Sequence, residues 1–173
     1  MAVINICHID LEIPSQKAVL KAGFSVNTEK QENMVVTHTE AITKEENNDW
    51  YLEIPKINLK APIEEGTTKE IMDQFIGHFE ESKTWIGNVC LAAHNRGYEK
   101  NYFAKVKHLV QGDTILYFYQ GEQKTYIVEK NDIIQDTDLT CLENTEENSL
   151  TLITCVENEP NYRRCVKAVE KKE

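Results

Sequence analysis

The 173-residue sequence has no C-x-x-C pair among its five cysteines, Cys7, Cys90, Cys141, Cys155 and Cys165. Neither a zinc knuckle nor a thioredoxin-type redox site is therefore expected. So few cysteines in a chain of this length give no disulfide framework, and their odd number cannot all pair within one chain. The sequence also lacks a long apolar run. Nothing approaches the roughly 18 apolar residues that a membrane helix needs, and the longest N-terminal candidate, AVINICHIDLEI, is broken by Asn5, His8 and Asp10. This chain is expected not to span a membrane. Positive charge is scarce as well, with 19 Lys and Arg against 29 Asp and Glu and a net charge of −10. That balance argues against nucleic acid or an anionic membrane surface as the main partner, since both attract basic faces. A neutral or cationic partner fits better.

What remains is 40% apolar and 28% charged, the composition of a globular chain with one full hydrophobic core. Residues 1–49 are expected to be an N-terminal extension or linker, and 50–173 the folded domain. The first 14 residues alternate with a strand-like period of two up to Pro14, and Ser15 opens a short helical pattern that Gly23 stops. Residues 25–49 then carry six acids and two lysines with few large apolar side chains, which reads as a solvated flank. From Trp50 the pattern changes. WYLEI and INLKAPI read as strands around Pro55, Thr67 or Thr68 can cap a brief helix reaching residue 75, and 77–79 read as a tight passage. Residues 88–94 are apolar on both faces and so form a central strand, followed by a turn at Asn95, Arg96 and Gly97. Phe103, Val106 and Leu109 at spacing three predict a helix over 101–109. TILYFYQ and QKTYIVEKNDII form a hairpin around Gly121, and a helical turn is expected within 137–142. Many strands with only short helices between them predict a mostly β fold closed as a barrel, not a βαβ sheet.

The chemistry gathers near the C-terminus. Leu150, Leu152 and Ile153, with Thr151 and Thr154 between and beside them, make a buried strand that ends in Cys155. A lone strand cysteine is usually just a small buried hydrophobe. Here two further features stand with it: VCLAAHNRG (89–97) carries an apolar run into His94, and YRRCVKAVE (162–170) places two arginines soon after Cys155. Together they offer a thiol nucleophile, an imidazole for proton transfer and a guanidinium for an oxyanion. Cys90 lies in an apolar run without a basic neighbour, Cys165 alternates within a terminal strand, and Cys141 follows an acidic stretch. Among the histidines, His78 competes with His94, whereas His8, His38 and His108 are less well placed.

TLITC at 151–155, YRR at 162–164 and AAHNRG at 92–97, in that order and spacing, resemble the signature of the sortases, cysteine transpeptidases of Gram-positive cell surfaces. The resemblance covers about 50–170 and takes in WYLEIPKINLKAPIEEGT (50–67) and GHFE (77–80), which resemble class D-like members. It implies an eight-stranded β-barrel with short helices. It also implies cleavage of an LPxTG-like sorting signal through a thioacyl-enzyme, with transfer to an amine, for surface-protein anchoring or pilus assembly. On that resemblance Cys155 attacks, His94 moves protons and an arginine stabilises the oxyanion, with no metal or other cofactor. The implied partners are surface proteins bearing a C-terminal sorting signal, and a cell-wall peptide or pilin amine as acceptor. The implied location is the extracellular face of the membrane, where family members are usually tethered by an N-terminal helix. Two readings disagree over the arginine. Apolar alternation points Arg164 inward with Val166 and Ala168, while the family comparison places the arginine at Arg163, the residue preferred here. The rival functions are a cysteine peptidase that uses water as acceptor and, more remotely, a non-catalytic β-barrel binding module.

Overall fold

A computed structural model of the chain describes residues 49–172. The strand, helix and linker expected before residue 49 lie outside the described residues. Among the described residues eight strands close into a barrel in the order β1-β2-β3-β4-β7-β8-β6-β5, the mostly β barrel that the residue pattern predicted with the strand number that the resemblance implied. They are β1 (Tyr51–Ile54), β2 (Leu59–Glu65), β3 (Ile76–His78), β4 (Asn88–Ala92), β5 (Thr114–Tyr119), β6 (Glu122–Gln135), β7 (Ser149–Val156) and β8 (Glu159–Glu170). The pairs β2–β3 and β4–β7 are parallel, and the other neighbours are antiparallel.

Local chemistry explains most of these elements. Pro55 starts a single 3₁₀ turn between β1 and β2, and Asn58, at φ 53, closes it in the left-handed conformation that asparagine tolerates. The β5–β6 hairpin turns on Gln120 and Gly121, both at positive φ, the arrangement that matches the twist of paired strands. Thr68 precedes α1 (Lys69–Met72), which stops well short of residue 75. The stretch read as a passage is instead strand β3. Its Gly77 is packed so closely that a Cβ there would meet the Gly66 carbonyl oxygen at 2.5 Å, so only glycine fits. The helix expected over 101–109 is also absent. Turns and a 3₁₀ helix at Val106–His108 take its place, because three residues per turn suits a spacing of three better than 3.6 does. Phe103, Val106 and Leu109 are nonetheless buried, and they pack with the barrel core.

That core comprises inward side chains such as Leu52, Ile54, Ile63, Leu91, Ile115, Tyr117, Tyr126, Leu150, Leu152 and Val166. Each fully buried aliphatic or phenyl side chain contributes about 1.5–3 kcal/mol. A smaller apolar cluster of Met72, Ala92, Ile153 and Cys165 is covered by Phe79, Ile134, Leu139, Cys141 and Leu142. Strands β4 and β7 are buried on both faces for this reason. One face fills the barrel, while the other lies beneath α1 and the 3₁₀ turn Thr140–Leu142.

Candidate active site

Three neighbouring strands bring the predicted residues together. In the parallel β4–β7 ladder Ala92 pairs with Ile153; His94 lies two residues beyond Ala92, and Cys155 two beyond Ile153. In the antiparallel β7–β8 ladder Cys155 pairs directly with Arg163. His94, Cys155 and Arg163 thus form a row across β4, β7 and β8. Because side chains alternate along a strand, Cys155 shares a face with Ile153 of the smaller cluster, opposite the core residues Leu150 and Leu152. The row therefore lies on the outer side of the barrel wall. All three residues are nearly enclosed, at 3% exposed for His94, 8% for Cys155 and 3% for Arg163.

The strand ends are stitched together here. Ala93 N–H donates to the Ile153 carbonyl at 3.4 Å and Phe103 N–H to the His94 carbonyl at 3.0 Å. Thr154 Oγ1 donates to the Ala93 carbonyl at 2.7 Å, and Asn95 Nδ2 to the Cys155 carbonyl at 2.6 Å. Further along β7, the Thr151 hydroxyl donates to Asn88 Oδ1 at 2.9 Å, and Asn88 Nδ2 donates to the carbonyls of Cys141 and Glu143. The two threonines of TLITC therefore clamp the strand to β4 and to the loop that covers it. Buried hydroxyls need such partners.

Burial pushes the His94 pKa below its usual 6.5, with Asp73 opposing that shift and Lys69 reinforcing it. A neutral imidazole, able to accept a proton, is favoured. Burial likewise draws the Arg163 pKa downward against the pull of Asp136, but a guanidinium remains charged throughout the working range. Arg163 donates to the carbonyls of Pro160 and Tyr162 at 2.7 and 2.8 Å, and its Nη2 stands 3.8 Å from Asp136 Oδ2. Arg164 points to the other face, where Nη1 donates to Asn131 Oδ1 at 2.8 Å. Beside the row, a cleft of about 700 Å³ opens between 73–75 and 97–100.

The competing residues are engaged elsewhere. His78 is buried with Nδ1 2.7 Å from Glu65 Oε1 and Nε2 within 3.1 Å of Ser82 Oγ and the Lys83 carbonyl. Cys90, Cys141 and Cys165 are free thiols. Burial pushes Cys90 up to about 12, and contact with Cys141 together with burial pushes Cys165 upward. Neither forms a thiolate readily, so neither is suited to attack. Cys155 is disulfide-bonded, so nucleophilic chemistry belongs to its reduced form. Two residues next to His94 carried no sequence signal. Asp73 Oδ1 lies 3.5 Å from His94 Nε2, and the Tyr98 ring stacks on the imidazole with centroids 3.5 Å apart.

A closed eight-stranded barrel with a histidine two residues past β4, and a cysteine and an arginine paired on β7 and β8, narrows the class to cysteine acyl-transfer folds of sortase type. A family model described as a sortase domain matches residues 52–171, and the chain belongs to the sortase family. It is 32% identical to sortase D of Bacillus subtilis (strain 168) over 108 residues, covering 60% of this chain and 52% of that protein. It is 28% identical to sortase A of Bacillus anthracis over 119 residues, covering 68% and 56%. The chain thus spans about half the length of these relatives. Among solved structures it superposes on sortase C1 of Streptococcus agalactiae with TM-score 0.67 and 26% identity, covering 72% of this chain and 67% of that one. A Clostridium perfringens sortase D5 transpeptidase gives TM-score 0.64 at 26% identity, covering 71% and 78%.

Proposed function

We propose that the chain is a cysteine transpeptidase that cleaves an LPxTG-like sorting signal and passes the acyl group to an amine. The observation that carries this reading is the row of His94, Cys155 and Arg163 across β4, β7 and β8. In the reduced enzyme His94 takes the proton of the Cys155 thiol, and the resulting thiolate attacks the carbonyl carbon of the threonine–glycine bond. The resulting tetrahedral oxyanion is stabilised by the Arg163 guanidinium. His94 gives a proton to the departing glycine amine, the C–N bond breaks, and a thioester remains on Cys155. An incoming amine attacks that thioester and loses a proton to His94, and the thiolate leaves as the new amide forms. The substrates are surface proteins with a C-terminal sorting signal, and the acceptor is a cell-wall peptide or pilin amine. The place of action is the extracellular face of the membrane. Among the described residues no helix is long and apolar enough to cross a membrane.

The test is mass spectrometry of products formed by the reduced full chain with a small library of LPxTG-type peptides and an amine acceptor. An amine-ligated product that disappears in Cys155→Ala, together with the thioacyl adduct, is the expected result. Hydrolysed peptide alone would make the protein a cysteine peptidase. Retention of the adduct in Cys155→Ala would remove Cys155 from the mechanism.

A further inference from the structure

The surroundings of His94 hold a carboxylate that the mechanism above does not use. Asp73 follows α1 directly, and its backbone N–H caps that helical turn. Its Oδ2 accepts from Lys69 Nζ at 2.7 Å. Its Oδ1 lies 3.5 Å from His94 Nε2, and both atoms are sealed from solvent with no hydrogen-bond partner among the described residues. Leaving a buried polar atom unsatisfied costs about 1–3 kcal/mol, so two that face each other are most simply read as partners. The present separation is longer than a hydrogen bond, and closing it takes only a few tenths of an ångström. Such contacts commonly tighten when substrate binds.

We infer that Asp73 is a positioning residue for His94, its Oδ1 accepting the Nε2 proton and leaving Nδ1 as the nitrogen that exchanges protons with substrate amines. The inference rests on the reading of His94 as the proton carrier. A carboxylate beside one ring nitrogen selects the tautomer protonated there and supports the imidazolium when it forms. Stacking on Tyr98, with the rings 7° from parallel, fixes the imidazole plane. Among the described residues, the groups that bear on the His94 imidazole are Lys69 of α1, Asp73 directly after it and Tyr98 of the loop after β4, with Cys155 two residues past Ile153 on the neighbouring strand. Asp73 raises the imidazole pKa and Lys69 lowers it, so the two ends of the Lys69–Asp73 pair act with opposite sign.

The experiment is the side-chain nitrogen NMR titration of His94 in the reduced full chain, alongside kcat/KM against pH for the peptide and amine reaction. Asp73→Asn keeps the volume and removes the charge. It should move the His94 titration and the matching limb of the pH profile to lower pH, reduce the Nε2–H tautomer, and lower kcat/KM about tenfold, the low end of what losing a carboxylate that orients an imidazole costs. Most of that loss should fall on kcat. Asp73→Glu should restore part of it, and Lys69→Met should move the titration to higher pH. General loosening of the loop would instead shift both variants in one direction, which would overturn the inference. An inactive His94→Ala combined with an unchanged His94 titration and tautomer in Asp73→Asn would overturn it alone. Full activity of His94→Ala would overturn the role of His94 and this inference with it.

Discussion

The two faces of β7 are built from alternating residues of one strand, yet they do different work. Leu150 and Leu152 point into the barrel among aliphatic and aromatic side chains, where the only demand is close packing. On the other side Thr151, Ile153 and Cys155 meet Asn88, the covering loop and Arg163. There each polar atom needs a named partner. The inner face tolerates almost no polarity but accepts apolar exchange of similar volume. The outer face depends on particular groups at particular registers. A barrel can carry chemistry on its wall because the wall is rigid and its outer surface is free to be shaped by loops.

The largest effect expected from this contrast falls on the arginines, which β8 sends to opposite faces. Losing an oxyanion donor typically costs about 10²–10³ in rate. Arg163→Ala and Arg163→Lys should each lose that much in kcat/KM, the lysine because it lacks the planar fork. Arg164→Ala, which breaks the bond to Asn131 on the other face, should lose little. Steady-state kinetics with thermal melts on all three variants would check this, and the reverse order would move the role to Arg164.

A core substitution should show the opposite signature. Phe103→Ala removes a side chain 1% exposed that packs with the barrel core, and it should cost about 3–5 kcal/mol of stability. Urea denaturation would read that loss. At temperatures where the variant is folded, kcat should stay within a few-fold of the parent. A collapse of kcat in the folded variant would mean that the two faces are not independent.

The smallest effect separates two core tyrosines. The Tyr117 hydroxyl donates to the Thr84 carbonyl at 2.7 Å and accepts from Trp50 Nε1 at 2.8 Å. Tyr126 OH is buried with no hydrogen-bond partner among the described residues. Tyr117→Phe should therefore cost about 1–3 kcal/mol by orphaning two groups. Tyr126→Phe should be neutral or slightly stabilising. Denaturation curves of the pair would decide, and equal losses would show that the Tyr126 hydroxyl has a partner after all.

Much of this was legible before any coordinates. Strand-length apolar runs between turn residues marked out β1, β2, β4 to β8 and the closed barrel, because alternation and turn chemistry are local properties. TLITC, AAHNRG and YRR pointed to the same three residues that the ladders align. Two misreadings have physical causes. A spacing of three at Phe103, Val106 and Leu109 fits a 3₁₀ turn better than an α-helix. The run around Gly77 was too short to signal β3. Apolar alternation placed Arg164 on the inner face with Val166 and Ala168, as β8 has it, whereas Arg163 pairs with Cys155 on the outer face of the wall.

By itself, then, the sequence determined the strand content, the turns and the candidates for the reactive groups, since each follows from residues close together in the chain. Tertiary structure decided the rest: the row across β4, β7 and β8, the face on which it lies, and the approach of Asp73 and Tyr98 to His94. Those outcomes depend on register between strands some 60 residues apart, as in Ala92 against Ile153, and on which loop covers the outer wall. No local pattern encodes a register, because a strand shifted by one residue keeps its alternation while turning every side chain to the opposite face.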